Sequence, residues 1–234
     1  WLNNLFNAVL IKHWDAHGAL PDFSNRSWFT RYVIQDENVK RYYLAHGMGE
    51  NNLIILGSAR FCEEWSAINL DLLENLYNSE MEFVGNGRFT VLFILPHWDY
   101  NVNRSKTVDL LLRISNTEGV DVVIKPHTRG TGGVSEKEAR AFRETGTIDL
   151  VGEGTHSPSL IKRADVVINL GSSIGFEVLR QGKPLCNPIY LHGNSTIFDN
   201  SGVVFDANSE GEAVTFLKHV KGGRFNYPSR ETLS

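Results

Sequence analysis

The sequence predicts an α/β fold: a doubly wound, Rossmann-like parallel sheet preceded by part of a second α/β domain. Three observations predict it. Residues 89–95, 120–124 and 166–170 read FTVLFIL, VDVVI and VVINL, and strands of nearly unbroken apolar residues are buried on both faces, as in a parallel sheet covered by helices. These runs alternate with segments of helical spacing from Phe89 to about Val220, which is the βαβ order of doubly wound folds. The chain has 234 residues, of which 41% are hydrophobic and 21% charged. That composition is globular, and the length suits one to two domains of roughly 100–200 residues each.

The elements follow in order. Residues 1–18 place Leu2, Leu5, Phe6, Val9, Leu10 and Trp14 at helical spacing, and the pattern stops at Gly18 before Pro21. After a polar loop at 21–26 come a short strand at 32–35, a helix at 38–46 closed by Gly47, a compact strand at 53–56 and a Glu-rich helix at 63–77. Residues 85–87 read as a linker, so the domains divide as 1–87 and 88–234. Beyond it, strands are expected at 89–95, 120–124, 149–151, 166–170, 184–186 and 202–205. Helices are expected between them at 105–118, 135–145, 157–163 and 175–181, and after them at 209–218. The first residue is Trp rather than Met, and a piece of a longer protein is the expectation.

Composition excludes several classes. With 23 Lys+Arg against 27 Asp+Glu, the net charge of −4 gives no general attraction for nucleic acid, and none is expected as a partner. Cys62 and Cys186 are too few for a disulfide framework or a four-cysteine zinc site, and reduced cytoplasmic thiols are the simplest reading. The apolar runs fall far short of the roughly 20 residues that span a bilayer. His13 and His17 stand at i, i+4, a metal-compatible spacing on a helix, but no third ligand follows at a suitable spacing. A surface helix end is the better reading. There is no G-x-G-x-x-G, Walker A loop or G-x-S-x-G, which argues against a dehydrogenase, a kinase and a serine hydrolase. No paired acidic motif follows a strand, so chemistry without a metal or cofactor is expected.

In doubly wound sheets, ligands bind beyond the carboxyl ends of the strands. The loop Asn169-Leu170-Gly171-Ser172-Ser173-Ile174-Gly175-Phe176-Glu177 passes from strand to helix through small residues. Backbone N–H groups at such a turn favour an anion. Ser172 and Ser173 add hydroxyls for a phosphate, with Gly171 and Gly175 letting the backbone approach, and Glu177 can accept from sugar hydroxyls. Ser173 and Glu177 also suit an N-cap and its partner. After residues 120–124, Lys125, His127 and Arg129 fall within five positions, where they can stabilise a departing phosphate and move a proton. His97 follows residues 89–95 and is less specific, since Trp98 and Tyr100 beside it also suit a cover for the sheet edge. Thr196 and Asp199, beyond the strand near Pro184, can face the same crevice.

The stretches 120–127, 164–177 and Gln181-Gly182-Lys183-Pro184 together resemble the C-terminal domain of GT-B glycosyltransferases. In that domain a strand, a small-residue loop, a Glu-bearing helix and a G-K-P segment form the donor-nucleotide site. The flavour is that of bacterial capsule and surface-polysaccharide enzymes, including CDP-glycerol glycerophosphotransferases and the Kdo and sialic acid transferases that use CMP-sugars. Those enzymes tend to carry His-Pro and Ser-Ser; here the pairs are Pro126-His127, in reversed order, and Ser172-Ser173. Residues 33–35 and 53–61, including Gly57-Ser58-Ala59-Arg60, resemble the last strands of a GT-B N-terminal, acceptor-side domain.

The resemblance implies metal-independent transfer of a sugar or polyol phosphate from a nucleotide-activated donor, CMP/CDP- or UDP-linked, to a glycan or lipid-linked acceptor. It implies a cytoplasmic setting at the inner face of the membrane, with peripheral association of the full-length protein. Epimerases of the UDP-N-acetylglucosamine 2-epimerase type share the scaffold. Epimerisation or hydrolysis of a nucleotide sugar is therefore the alternative, and a non-catalytic nucleotide-sugar-binding domain is a third.

Overall fold

The computed structural model describes residues 30–58, 62–77, 87–127, 133–152, 154–194, 198 and 202–225. The helix expected at 1–18, with His13 and His17, lies outside the described residues. The chain divides into two units, Trp1–Cys62 and Glu63–Ser234. The sequence-based division at 87/88 counts the helix at 63–77 with the first segment, whereas its contacts group it with the second unit.

In the first unit, β1 (Tyr32–Ile34) leads into α1 (Glu37–Ala45), and β2 (Leu53–Ile55) returns parallel to β1. Asp36 starts the helix by accepting from the Val39 N–H at 2.9 Å, satisfying one of the donors a helix start leaves open. Ile34, Met48 and Leu53 are buried together, with Tyr32, Val39, Tyr43 and Leu44 packed against them.

The second unit begins with α2 (Glu63–Tyr77) and continues through β3 (Phe89–Ile94), α3 (Arg104–Ser115), β4 (Val120–Lys125), α4 (Glu136–Glu144) and β5 (Ile148–Leu150). Its second half is α5 (Ser157–Arg163), β6 (Val166–Asn169), α6 (Gly175–Arg180), β7 (Leu185–Pro188), β8 (Phe205–Ala207) and α7 (Glu210–Lys221). The six strands form one sheet in the order β5-β4-β3-β6-β7-β8, every pair parallel. Counted from β3, this is the Rossmann order, which reverses direction between its first and fourth strands. The switch point therefore lies between β3 and β6.

Each face has its own core. Val91, Phe93, Val122, Ile124, Val166 and Ile168 pack with Leu110, Leu111 and Ile114 of α3, Phe142 of α4 and Phe216 and Leu217 of α7. On the opposite face Leu92, Val123 and Val167 meet Leu160 and Ile161 of α5 and Val178 and Leu179 of α6, and α2 packs on α5. Ser135 and Glu138 form a reciprocal capping box at the start of α4.

Two strand expectations shift by more than one residue. The last strand is Phe205–Ala207 rather than 202–205, because Gly202 has φ 71° and left-handed backbone cannot enter a ladder. The strand expected at 184–186 is Leu185–Pro188, since Asn187 and Pro188 pair with Asp206 and Ala207. The helix expected at 105–118 stops at Ser115, ahead of Gly119 at φ 68°. Among the described residues no helix is long and apolar enough to cross a membrane.

Candidate functional site

Register builds the site. Ile94, at the carboxyl end of β3, pairs with Lys125 on β4 and with Asn169 on β6. These three residues form a row on the α5–α6 face, so Lys125 and Asn169 stand two strand spacings apart, about 10 Å, across the switch point. Both are polar residues at the ends of apolar strands, and each is only 2% exposed.

Asn169 shapes the turn that follows it. Its Nδ2 donates to the Ser172 carbonyl at 2.7 Å, and its Oδ1 accepts from the Ser172 N–H at 3.3 Å, an Asx-type closure of the chain. Gly171 adopts φ 76°, which a Gly takes without steric cost. The Gly175 N–H donates to the Ser172 carbonyl and the Phe176 N–H to the Ser173 carbonyl. Ser173 is thus not the N-cap; that position is Ile174, with no side-chain cap bond. Ser173 is exposed, Ser172 and Glu177 are half-buried and Gly175 is buried. A Cβ at Gly175 would lie 2.8 Å from the Phe198 ring and 3.3 Å from Asn169 Nδ2, so this position has no room for a side chain.

Beyond β3 and β4, three rings converge. The His127 ring is perpendicular to those of His97 and Tyr100, with centroids 6.0 and 5.8 Å away, and His97 and Tyr100 are 5.5 Å apart. His97 Nδ1 is 3.3 Å from the Asp99 N–H donor. The Asp99 carboxylate is 3.4 Å from the same nitrogen.

Lys125 Nζ donates to the Pro126 carbonyl at 3.4 Å. His156, just before α5, is held below the usual histidine range first by burial and then by the charge of Lys125. Its Nδ1 is 3.0 Å from Ser159 Oγ. Cys186 is fully buried, and burial pushes its thiol up, so it stays protonated and unreactive. Among the described residues no group of three or more His, Cys, Asp and Glu is placed to hold a metal ion.

Of the residues predicted from sequence, the fold brings Lys125, His127, His97, Gly171, Ser172, Ser173, Gly175 and Glu177 to the carboxyl edge of the three central strands. Arg129, Thr196 and Asp199 lie outside the described residues. Sequence reasoning missed Asn169 and His156 as site residues. A polar residue closing the buried run VVIN is a signal for the first. His156 sits in the loop after β5, the strand-end position that singled out the other loops.

Residues 89–215, more than half of the chain, match the model of the family described as "Capsule polysaccharide biosynthesis protein". The chain belongs to that family. No curated protein sequence matches it.

Similarity in structure extends further. The UDP-GlcNAc 2-epimerase from Neisseria meningitidis, solved bound to UDP-GlcNAc, superposes with a TM-score of 0.66 at 11% identity, over 85% of this chain and 57% of that one. A glycosyltransferase from Rickettsia africae superposes at 0.54 and 11% identity, over 87% and 57%. The wall teichoic acid polymerase TagF, as its H444N variant, does so at 0.53 and 13% identity, over 85% and 50%. At such identities the likeness shows the fold, which is that of GT-B proteins. This member of the capsule family spans little more than half the length of the structures it resembles.

Proposed function

We propose that this chain supplies the donor-binding part of a glycosyltransferase that moves a sugar or polyol phosphate from a nucleotide-activated donor, CMP/CDP- or UDP-linked, to a surface-polysaccharide acceptor. One observation carries the reading: a buried lysine, paired histidines and a serine turn lie at the carboxyl ends of β3, β4 and β6, the strands around the switch point of a Rossmann-order sheet, where such folds bind nucleotides. The donor phosphate sits on the Gly171–Gly175 turn, against the hydroxyls of Ser172 and Ser173. As the acceptor oxygen bonds to the donor's reacting atom, the anomeric carbon of a sugar or the phosphorus of a polyol phosphate, and the bond from that atom to the nucleotide's phosphate oxygen breaks, charge grows on the departing oxygen. Lys125, His127 and Arg129 meet that charge without a metal ion. A cation taken out of water acts through a lower effective dielectric and is worth more there than at the surface. Glu177, with Thr196 and Asp199, binds the sugar and ribose hydroxyls, and His97 joins His127 at the donor phosphate.

The base that takes the acceptor's proton belongs, on this reading, to the acceptor-side domain, with the glycan or lipid-linked acceptor reached from the cytoplasmic face of the membrane. A thermal-shift series with UDP, CDP, CMP and GDP and their sugars tests the proposal. A nucleotide at 100 times its Kd should stabilise the protein by about 2.7 kcal/mol, and Ser173→Ala with Glu177→Ala should remove the response. If calorimetry finds no affinity for any of them, the proposal fails.

Likeness to the meningococcal epimerase supports a second reading, epimerisation or hydrolysis of a nucleotide sugar in the same cleft. NMR of products formed from a UDP-sugar alone, with no acceptor present, separates the two.

A further inference from the structure

The loop after β3 is fastened to a segment some ninety residues away in sequence. Around an antiparallel bridge between Val102 and His192, the Asn103 N–H donates to the Leu191 carbonyl at 2.7 Å and the Gly193 N–H to the Asn101 carbonyl at 3.1 Å. Asn194 Nδ2 then donates to the Tyr100 carbonyl at 2.8 Å. Asn101 adopts φ 53°, and Gly193 lies so close that a Cβ there would fall 2.2 Å from Asn101 Nδ2. A side chain at position 193 would therefore have to displace the Asn101 amide.

The far side of this stitch is rooted in the sheet. His192 Nδ1 accepts from the Asn194 N–H at 3.2 Å, so the proton of its neutral ring is on Nε2, which donates to Asn187 Oδ1 at 2.7 Å. Asn187, only 4% exposed, donates in turn to Asp206 Oδ1 at 3.0 Å. A continuous run of hydrogen bonds thus leads from β8 through β7 to the backbone of Tyr100. The ring of Tyr100 contacts both His97 and His127, yet the residue is 47% exposed. With that little packing around it, its place is set by its backbone more than by its neighbours.

We propose that Asn194 is a positioning residue: by donating to the Tyr100 carbonyl it sets the Tyr100 ring, and through it the His97–His127 pair, in place for the donor phosphate. The consequence for binding rests on the proposed function, whereas the positioning itself does not. The experiment uses the whole chain labelled on its histidine rings, with Asn194→Asp, which keeps the shape but loses the donor, and Asn194→Ala. In the ligand-free protein both variants should shift the ring resonances of His97 and His127 and leave those of His156 and His219 in place, with Tm changed by only a few degrees. Titrated with UDP and CMP, both should bind about tenfold more weakly, the worth of one well-placed hydrogen bond. His97 and His127 signals unmoved in both variants would overturn the inference. A wild-type protein that binds neither nucleotide would count against the proposed function, and the ring signals would still decide the role of Asn194.

Discussion

On the α3–α4–α7 side of the six-stranded sheet, charge at the carboxyl edge comes as a matched pair. Arg104 donates through Nε to Glu138 Oε1 at 2.8 Å and through its Nη2 to Oε2, while its guanidinium lies 4.9 Å from the centre of the Trp98 ring. Those donated bonds and the capping serine hold the Glu138 carboxyl down at about 2. On the α2–α5–α6 side, the charge of Lys125 adds to burial in keeping the His156 imidazole neutral. Opposite charges that satisfy each other finish a structure. A buried cation that disfavours protonation of its neighbour at a sheet's carboxyl edge suits an anion, and such perturbed groups mark candidate sites.

Five measurements test that contrast. The largest effect belongs to the first face: Phe93→Ala removes a fully buried ring and should cost about 3–5 kcal/mol in denaturant unfolding. Lys125→Met replaces a buried cation with an apolar chain of similar length. Ligand-free stability should hold or rise, because burying a charge is costly. Nucleotide affinity should fall by about 1.5–3 kcal/mol, the worth of a hydrogen bond to a charged group. Unchanged affinity would mean that the cation does not serve the ligand. Gly175→Ala drives a methyl against Phe198 and Asn169 and should destabilise by about 1–3 kcal/mol, with a matching loss of nucleotide response as the turn deforms.

The two smallest effects are read from pH. Glu138 has a folded pKa of about 2 against an ordinary 4.5. Its contribution is therefore fully present above 4.5 and disappears as pH falls through 2. Glu138→Gln should lower stability at neutral pH by about 1 kcal/mol, as for other partly exposed pairs, and flatten the acid limb in that window. His156 is lowered from 6.5, so the unfolded chain takes up the proton first and stability drops as pH falls below 6.5. His156→Gln should flatten the curve there. An identical slope in the variant would show that this histidine carries no such linkage.

Much of the second unit was legible because its strands are apolar on both faces. The runs at 89–95, 120–124 and 166–170 have no solvent side to interrupt them, and loop composition marked Ser172, Ser173 and His127. The edge was harder. Phe205 and Asp206 are half-buried and only Ala207 faces fully inward, so β8 has no apolar run to show, and Gly202 just before it misleads. The ring cluster of His97, Tyr100 and His127 was also hidden, since it depends on two loops that lie on neighbouring strands.

Local chemistry in the sequence by itself determined the α/β class, the elements and the loops that bear polar groups, because each rests on residues close together in the chain. Long-range contacts alone place Lys125 and Asn169 on either side of one switch point and bring the Asn194 amide to the Tyr100 carbonyl. Those relations are set by strand register, sheet order and the pairing of two loops. Such pairings link residues up to 94 positions apart, and no local pattern encodes them.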